Sequence, residues 1–384
     1  MACGLAAACS HAAQPMAPAA NTLPASDERE ALLQRAEAAL ARGDTQRAAD
    51  TFERAASMQH APDIEMGIVR TAMQQGRYAQ ALAFAAHTAD AHLESPAAAA
   101  LYAWLLRIGG QSVIAGRVLT EALARAPDDA VLRAAEAAFA SAAPLAEGAL
   151  LDVPQRMAPR PYAVAGEGAF LPASAAVVSS GVLVAQGTQA IVPLAVAART
   201  VGTRVWLRNG LGLTVAGQLV PEDAALAAVG LARVDLDRPL PFEPGDVSMS
   251  TPLPAGRPAF AIEYVTGPGN AAAWPWLTQG FIGSMSSDGD RRLGIAVGQG
   301  SRGGPVLDGQ GRLAGIALAR TDGTAVFVPA ASWRSGDPAE LSESAAQRVL
   351  AVASTAPATR SVVPAADAYE RALRLALQVI AISR

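Results

Sequence analysis

The sequence predicts a multidomain α + β protein, in which an N-terminal array of helices is followed by an all-β barrel or sandwich and a terminal helix. Residues 1–150 contain 8 of the 34 glycines, and residues 151–384 contain the other 26. Because glycine weakens helices and serves tight turns, this division favours helices first and short strands later. Gly43, Gly76 and Gly110 recur at spacings of 33 and 34 residues, which indicates repeated helical hairpins.

Composition restricts the chemistry that the chain can perform. The 384 residues carry 30 basic and 34 acidic side chains, and every basic residue is arginine. The absence of lysine excludes Schiff-base catalysis, Ser-Lys dyads and phosphate-binding loops that depend on lysine. A net charge of −4 and a pI near 5.7 argue against a nucleic-acid partner. Hydrophobic residues make up 51% of the chain and charged residues 17%, a balance that is typical of folded proteins.

Histidine and cysteine are confined to the first 92 residues. The histidines are His11, His60, His87 and His92, and the cysteines are Cys3 and Cys9. The rest of the chain therefore has no imidazole or thiol for acid–base, nucleophilic or metal chemistry. His60, His87 and His92 show no ligand-like spacing, so we expect surface or packing roles for them, with no metal site and no cofactor.

Residues 1–26 have the end of a bacterial export signal but lack its basic beginning. The segment LAAAC, which ends at Cys9, resembles a lipobox, in which the cysteine becomes lipidated. Residues 10–12 (SHA) fit equally well the small-x-small cleavage site of an exported soluble protein. The segment predicts an export-signal remnant, with the chain in the periplasm or cell envelope and Cys9 as a membrane anchor. The alternative is a disordered tail rich in alanine and proline.

Residues 27–144 have a pattern of small and aromatic residues that resembles about three tetratricopeptide repeats. Each turn glycine is followed five residues later by an alanine, at Ala48, Ala81 and Ala115. In such repeats, small residues lie where two helices touch, an aromatic ring fills the gap, and a proline ends the unit. The alternative is a generic alanine-rich helical bundle. Either structure would be a scaffold that presents a surface to protein or peptide partners.

Residues 166–335 consist of short runs of aliphatic and β-branched residues bounded by glycine, proline and aspartate. AAVVSSGVLVA, RPAFAIEYV, GRLAGIAL and TAVFVPA are examples. Many short strands without long helices are typical of a β-barrel or sandwich. Residues 145–165 and 336–363 are predicted linkers. Residues 364–384 carry an apolar stripe at helical spacing, which predicts a terminal helix that docks on a domain or a partner.

Residues 298–316, GQGSRGGPVLDGQGRLAGI, resemble the nucleophile region of trypsin-like serine proteases, most closely their bacterial high-temperature-requirement branch. In that branch, a Gly-x-Ser-Gly-Gly-Pro turn precedes an Asp-Gly-x-Gly hairpin and a Gly-Ile strand. Three more segments follow the order of the family, namely SSGVL at 179–183, LTQGFIG at 277–283 and AVFVP at 325–329. The resemblance implies a trypsin-like double β-barrel over residues 166–335.

The catalytic triad of this family has no counterpart in the sequence. The resemblance places Arg302 at the position of the nucleophilic serine, Ala195 at that of the histidine and Gly230 at that of the aspartate. The mechanism of the family needs the hydroxyl, the imidazole and the carboxylate together. The resemblance therefore implies a catalytically inactive relative, a pseudoprotease.

A remnant of the oxyanion hole is implied by the same alignment. In the family its two amides belong to the nucleophile residue and the residue two before it, which here are Arg302 and Gly300. An amide pocket beside a guanidinium could accept a carboxylate, such as a peptide C-terminus. The alternative is that Arg302 only plugs an inactive site or points to solvent.

Three functions follow from these observations. The leading hypothesis is a pseudoprotease that binds proteins or peptides in the bacterial cell envelope, with the helical repeats and the former substrate groove as binding surfaces, the groove acting by strand addition. A second is an active serine endopeptidase with Ser301 as nucleophile, although Ser301 lies one residue early and has no histidine or lysine as base. A third is a purely structural envelope lipoprotein.

Overall fold

The fold is described in a computed structural model for residues 25–140, 164–165, 170–242, 253–267, 269–287, 289–295, 303–320, 323–333 and 362–382. Most of the predicted export segment, including Cys9, and most of both predicted linkers lie outside these residues. The described residues form a helical array followed by two β-barrels. This architecture confirms the predicted fold class.

Seven helices within residues 25–140 form the array. They are α1 (Ala25–Ala41), α2 (Thr45–Met58), α3 (Pro62–Gln74), α4 (Tyr78–Ala91), α5 (Pro96–Ile108), α6 (Ser112–Arg125) and α7 (Ala130–Ala140). Gly43, Gly76 and Gly110 join the two helices of successive hairpins, with φ of 78°, 78° and 81°. This left-handed backbone favours glycine, which explains why a glycine recurs at the turn of each hairpin. The distance between successive glycines in the sequence is therefore the length of one repeat.

The small residues of the repeat pattern lie where the helices of a hairpin touch. Ala48, Ala81 and Ala115 are fully buried. Phe52, the aromatic residue of the first repeat, packs on Gly67 of α3, where an added Cβ would lie 2.2 Å from the ring. Gly67 is therefore required by the close approach of the ring, because a larger residue would displace Phe52.

The first β-barrel consists of six strands among the described residues. They are β2 (Ala175–Val184), β3 (Gln189–Pro193), β4 (Arg204–Asn209), β5 (Leu213–Val220), β6 (Leu231–Leu236) and β13 (Ala376–Ile382). Their order is β5-β4-β13-β2-β3-β6, and pairing of β6 with β5 closes the barrel. A short strand, β1 (Val164–Ala165), adds to β5 in parallel at the end of the predicted linker.

The prediction of a helix over residues 364–384 is wrong beyond residue 375. A helix, α10 (Ala365–Leu375), is followed directly by β13, which lies between β2 and β4 and is hydrogen-bonded to both. Six of its seven residues are buried. A short, continuously apolar segment fits a buried strand and a buried helix equally by pattern, and here the β-branched Val379, Ile380 and Ile382 favour the strand. The β-domain therefore extends beyond the predicted residues 166–335.

The second β-barrel also has six strands in the described part of the chain. They are β7 (Pro258–Glu263), β8 (Trp276–Met285), β9 (Arg291–Gly294), β10 (Pro305–Asp308), β11 (Leu313–Ala319) and β12 (Ala325–Pro329). The barrel closes in the order β10-β11-β12-β9-β8-β7. Asp308 holds the tight turn into β11, because its carboxylate accepts hydrogen bonds from the backbone amides of Gln310 and Arg312 at 2.8 and 2.9 Å.

The helical array packs directly on the β-domain. Trp104 of α5 lies edge-on to Trp276 of β8, with ring centroids 5.9 Å apart. The Glu370 carboxylate of α10 accepts a hydrogen bond of 2.8 Å from the backbone amide of Ala79, in the first turn of α4. Because an unpaired amide at a helix N-terminus favours a negative partner, this contact fixes α10 against the array.

Candidate functional site

Two of the predicted triad positions adjoin each other at one edge of the first barrel. Ala195 is exposed at the start of a short helix, α8 (Ala195–Arg199), which follows β3. Gly230 follows another short helix, α9 (Ala224–Ala228), and has φ of 77°. The backbone amide of Leu194 donates a 2.9 Å hydrogen bond to the carbonyl oxygen of Gly230. The fold therefore brings Ala195 and Gly230 together, although they are 35 residues apart in sequence.

The loop that carries the predicted nucleophile position ends against the same edge. Gly300, Ser301 and Arg302 lie outside the described residues, and the next residue, Gly303, has φ of 135°. A Cβ added to Gly303 would lie 2.5 Å from the ring of Pro193, at the end of β3. The loop thus reaches the first barrel two residues before Ala195.

The two described triad positions contribute no group that can transfer a proton. Ala195 offers a methyl group and Gly230 a hydrogen, and the adjacent side chain, Val196, is buried in the first barrel. A serine hydroxyl near neutral pH needs a base such as imidazole to become a nucleophile. Ala195 and Gly230 therefore supply no acid or base at this edge of the barrel.

Comparison with protein families agrees with this geometry. Residues 164–316 match the trypsin-like peptidase domain, and residues 39–105 match the tetratricopeptide repeat. The chain combines tetratricopeptide repeats with a trypsin-like peptidase domain. The match to the peptidase domain ends before β13, which completes the first barrel of this domain from beyond the matched residues.

Two solved structures resemble the chain at low similarity. The serine endoprotease from Yersinia pestis is 20% identical, with 40% of this chain and 53% of that chain covered and a TM-score of 0.33. The MamO protease domain from Magnetospirillum magneticum, in its apo form, is 25% identical, with 44% of this chain and 89% of that chain covered and a TM-score of 0.29. No curated protein matches the chain. Within the described residues, no helix is both long and apolar enough to cross a membrane.

A buried glutamate, which the sequence analysis did not predict, lies beside the end of the loop that contains the predicted nucleophile position. Glu263 ends β7 and is 8% exposed. A Cβ added to Gly304, two residues after Arg302, would lie 3.0 Å from Cγ of Glu263 and 1.8 Å from the carbonyl oxygen of Ile262. Glutamate at the end of a strand is usually solvated, so nothing in its sequence context predicts that Glu263 is buried.

Hydroxyl groups near the same edge of the trypsin-like domain hold its backbone. The Ser180 hydroxyl accepts a 2.8 Å hydrogen bond from the backbone amide of Tyr264, and the Tyr264 hydroxyl donates to the carbonyl oxygen of Ala376 at 3.2 Å. Burial raises the pKa of the Tyr264 phenol well above its usual range, so that the phenol stays protonated. These contacts join β2 and β13 of the first barrel to the segment that follows β7 of the second, and they give Ser180 and Tyr264 structural roles.

A second cluster, in the tetratricopeptide repeats, was also missed. His60, Glu65 and His92 each place one nitrogen or oxygen atom within 4.8 Å of the others. His60 lies just after α2, Glu65 lies on α3, and His92 directly follows α4. The two histidines are 32 residues apart, close to one repeat length, and this spacing is the signal that places them in adjacent repeats.

Proposed function

We propose that this protein is a catalytically inactive trypsin-like protein that binds protein or peptide partners in the bacterial cell envelope. The observation that supports the proposal is that Ala195 and Gly230, which the resemblance assigns to the histidine and aspartate positions, adjoin through the hydrogen bond from the Leu194 amide to the Gly230 carbonyl oxygen. No histidine occurs after residue 92, so the trypsin-like domain has no imidazole at any position.

Catalysis without these groups would be slow. The carboxylates of aspartate and glutamate have pKa values near 4, which makes them weak bases for a hydroxyl at neutral pH. In serine proteases, removal of triad members lowers kcat by about 10⁴- to 10⁶-fold. Ser301 is the remaining hydroxyl candidate, and we expect the same decrease in kcat for catalysis by Ser301.

The former substrate groove is the proposed binding surface of the trypsin-like domain. Peptides would add as a strand beside the barrels, and the backbone amides of Gly300 and Arg302 would donate hydrogen bonds to a C-terminal carboxylate. Glu263 would place a negative charge near this pocket, because it is buried beside Gly304 at the end of the same loop.

The tetratricopeptide repeats supply a second proposed partner surface. Their outer helices α2 and α6 each bury only three residues, whereas ten of the 13 residues of α3 and of α5 are buried. A partner would therefore meet the outer helices rather than the inner ones. Lipidation of Cys9 would hold both surfaces at the membrane, and fractionation of cells expressing Cys9→Ser, compared with the parent, tests the anchor.

The deciding experiment incubates the full chain with a complex peptide library and analyses both the supernatant and the protein-bound peptides by mass spectrometry. Peptides that are retained without being cut support the proposal. If Arg302→Ala no longer retains the peptides that have a free C-terminal carboxylate, Arg302 belongs to the carboxylate pocket. Arg199→Ala is the matched control, because Arg199 is an arginine on the exposed end of α8. Retention of the same peptides by Arg302→Ala would remove the pocket from the proposal.

The same experiment tests separately whether the protein cleaves peptides. New peptide termini in the supernatant, together with labelling by a serine-directed fluorophosphonate that disappears in Ser301→Ala, would make the protein an active endopeptidase and overturn the proposal. If peptides are neither cut nor retained, the peptide-binding part fails and a structural role remains.

A further inference from the structure

We propose that His60, Glu65 and His92 bind a divalent transition-metal ion, for which Zn²⁺ is the best match. The site lies in the tetratricopeptide repeats and is independent of the function proposed for the trypsin-like domain. Two imidazole nitrogens and one carboxylate form a donor set that suits zinc, with three protein ligands and a fourth position for water or a partner group.

The distances within this cluster fit one ion. Nε2 of His60 lies 2.5 Å from one carboxylate oxygen of Glu65, and Nε2 of His92 lies 3.6 Å from the other. Bonds of about 2.0–2.1 Å in a tetrahedral zinc site place the ligand atoms roughly 3.3 Å apart. The His92–Glu65 pair is already close to that spacing. The His60 side chain is 64% exposed, so it can move outward by the remaining distance.

Two polar atoms of the site are buried and make no hydrogen bond. Among the described residues, Oε2 of Glu65 and Nε2 of His92 are buried and have no hydrogen-bond partner. Their side chains are only 5% and 9% exposed. Burial of unpaired polar atoms costs free energy, and an ion between them would satisfy both. The two atoms lie 3.6 Å apart, close enough to bind the same ion.

The orientation of His92 also fits metal binding. Its Nδ1 lies 3.3 Å from a carboxylate oxygen of Glu94, which is at the surface. If Nδ1 carries the proton and donates it to Glu94, the lone pair of Nε2 is available to the ion. A carboxylate on the far side of a histidine ligand is the usual arrangement in zinc proteins, where it fixes the ring and its tautomer.

The ion would link two successive repeats. His60 belongs to the turn between α2 and α3, Glu65 to α3, and His92 to the end of α4. Bonds from these three positions to one ion would hold the first hairpin against the second. Zinc should therefore raise the temperature at which the full chain unfolds, because it binds the folded array and not the separated segments.

The test uses the full chain without a histidine tag, carrying Cys3→Ser and Cys9→Ser so that thiols cannot bind the metal. After removal of metals, zinc is titrated against a chromophoric chelator, and Co²⁺ is added separately to read the coordination geometry from its visible spectrum. We expect one equivalent of tightly bound zinc, a Co²⁺ spectrum typical of tetrahedral coordination, and a higher unfolding temperature with zinc.

The variants separate this site from adventitious binding. His92→Ala and Glu65→Gln should weaken zinc binding by more than about 100-fold, and Glu94→Gln by about 10-fold, since outer partners contribute about 10–100-fold. Glu94 is exposed, so its variant keeps the test valid if a buried substitution unfolds the array. His87→Ala is the matched control, because the His87 ring lies 6.2 Å from that of His60 but outside the cluster, and binding should be unchanged.

Three outcomes would overturn the proposal. The first is no zinc bound by the parent, the second is equal binding by the parent and His92→Ala, and the third is an equal loss in His87→Ala and His92→Ala. The peptide-library experiment is unaffected by any of them, so failure of the metal site and failure of the proposed function can be told apart.

Discussion

The ring of Tyr78, in the helical array, packs against the ring of Tyr369, in α10, with centroids 4.4 Å apart and planes at 54°. Each phenol donates a hydrogen bond to a backbone carbonyl oxygen, Tyr78 to Leu105 at 2.7 Å and Tyr369 to Pro275 at 2.6 Å. One aromatic pair therefore connects two helices of the array, α10 and the segment before β8. Tilted aromatic pairs of this kind contribute about 0.5–1.5 kcal/mol beyond the area that they bury.

Tyr369→Ala should destabilise the whole chain. The side chain is fully buried, and loss of a buried aromatic ring costs about 3–5 kcal/mol. Tyr369→Phe removes only the hydroxyl and should cost about 1 kcal/mol. Urea unfolding followed by circular dichroism measures both values. Phe170→Ala is the control, since Phe170 is 84% exposed, and its midpoint should stay close to that of the parent. Equal midpoints for Tyr369→Ala and the parent would contradict the importance of this contact.

The sequence predicted the elements whose cause is local. Gly43, Gly76 and Gly110 marked the helical hairpins because each takes a left-handed turn that favours glycine. The buried alanines five residues after them follow from the same geometry. The helix prediction failed for β13 because an apolar run that is buried on both faces has no alternation, and the strand depends on pairing of Val379 with Ser179 and Leu207, which lie 200 and 172 residues earlier.

The candidate sites depended still more on tertiary structure. The alignment placed Ala195 and Gly230 in the β-domain, but only the fold shows that they adjoin through the Leu194 amide. Glu263 was missed because its burial depends on tertiary packing. The pair of His60 with His92 was missed, although their separation is close to one repeat length, because only the stacking of the repeats brings their polar atoms together.

Val379→Asp tests the assignment of residues 376–382 to a strand. Val379 is fully buried in the middle of β13, and a carboxylate there would be buried without a partner, so the first barrel should unfold or lose several kcal/mol of stability. Val201→Asp is the matched control at an exposed position and should have little effect. Hydrogen exchange measured by mass spectrometry should show protected amides over β13, whereas rapid exchange there would contradict the strand.

Gly303→Ala should be more destabilising than an ordinary substitution of glycine in a turn. Its Cβ would lie 2.5 Å from both the Pro193 ring and the carbonyl oxygen of Ser180, so the loop and β3 must separate. Gly256→Ala is the matched control, because Gly256 also has positive φ but has no atom within 4 Å of an added Cβ. We expect a loss of about 1–2 kcal/mol for Gly256→Ala and a larger loss for Gly303→Ala, measured by urea unfolding. Equal losses would show that steric contact with the first barrel is unimportant.

Alkaline pH should unfold the protein through its buried tyrosines. Burial raises the pKa of Tyr78, Tyr264 and Tyr369, so the folded state keeps three protons that the unfolded state loses near pH 10. Stability is therefore unaffected by these groups below about pH 10 and falls as the pH rises above it. Absorbance at 295 nm should report ionisation of these phenols together with loss of the circular dichroism signal. Ionisation of all five tyrosines before unfolding would contradict their burial.

The position of β13 has a consequence for biosynthesis. Val182 of β2 pairs with Ala376, 194 residues later, so the first barrel cannot close while the ribosome is still making the second. At a synthesis rate of about 5–20 residues per second, β2 and β4 remain without β13, the strand that lies between them, for roughly 10–40 s. During that time they present unpaired backbone groups that invite association with other nascent chains. Chaperone contact with the incomplete chain should therefore concentrate on β2 and β4, because the first barrel closes only when β13 lies between them.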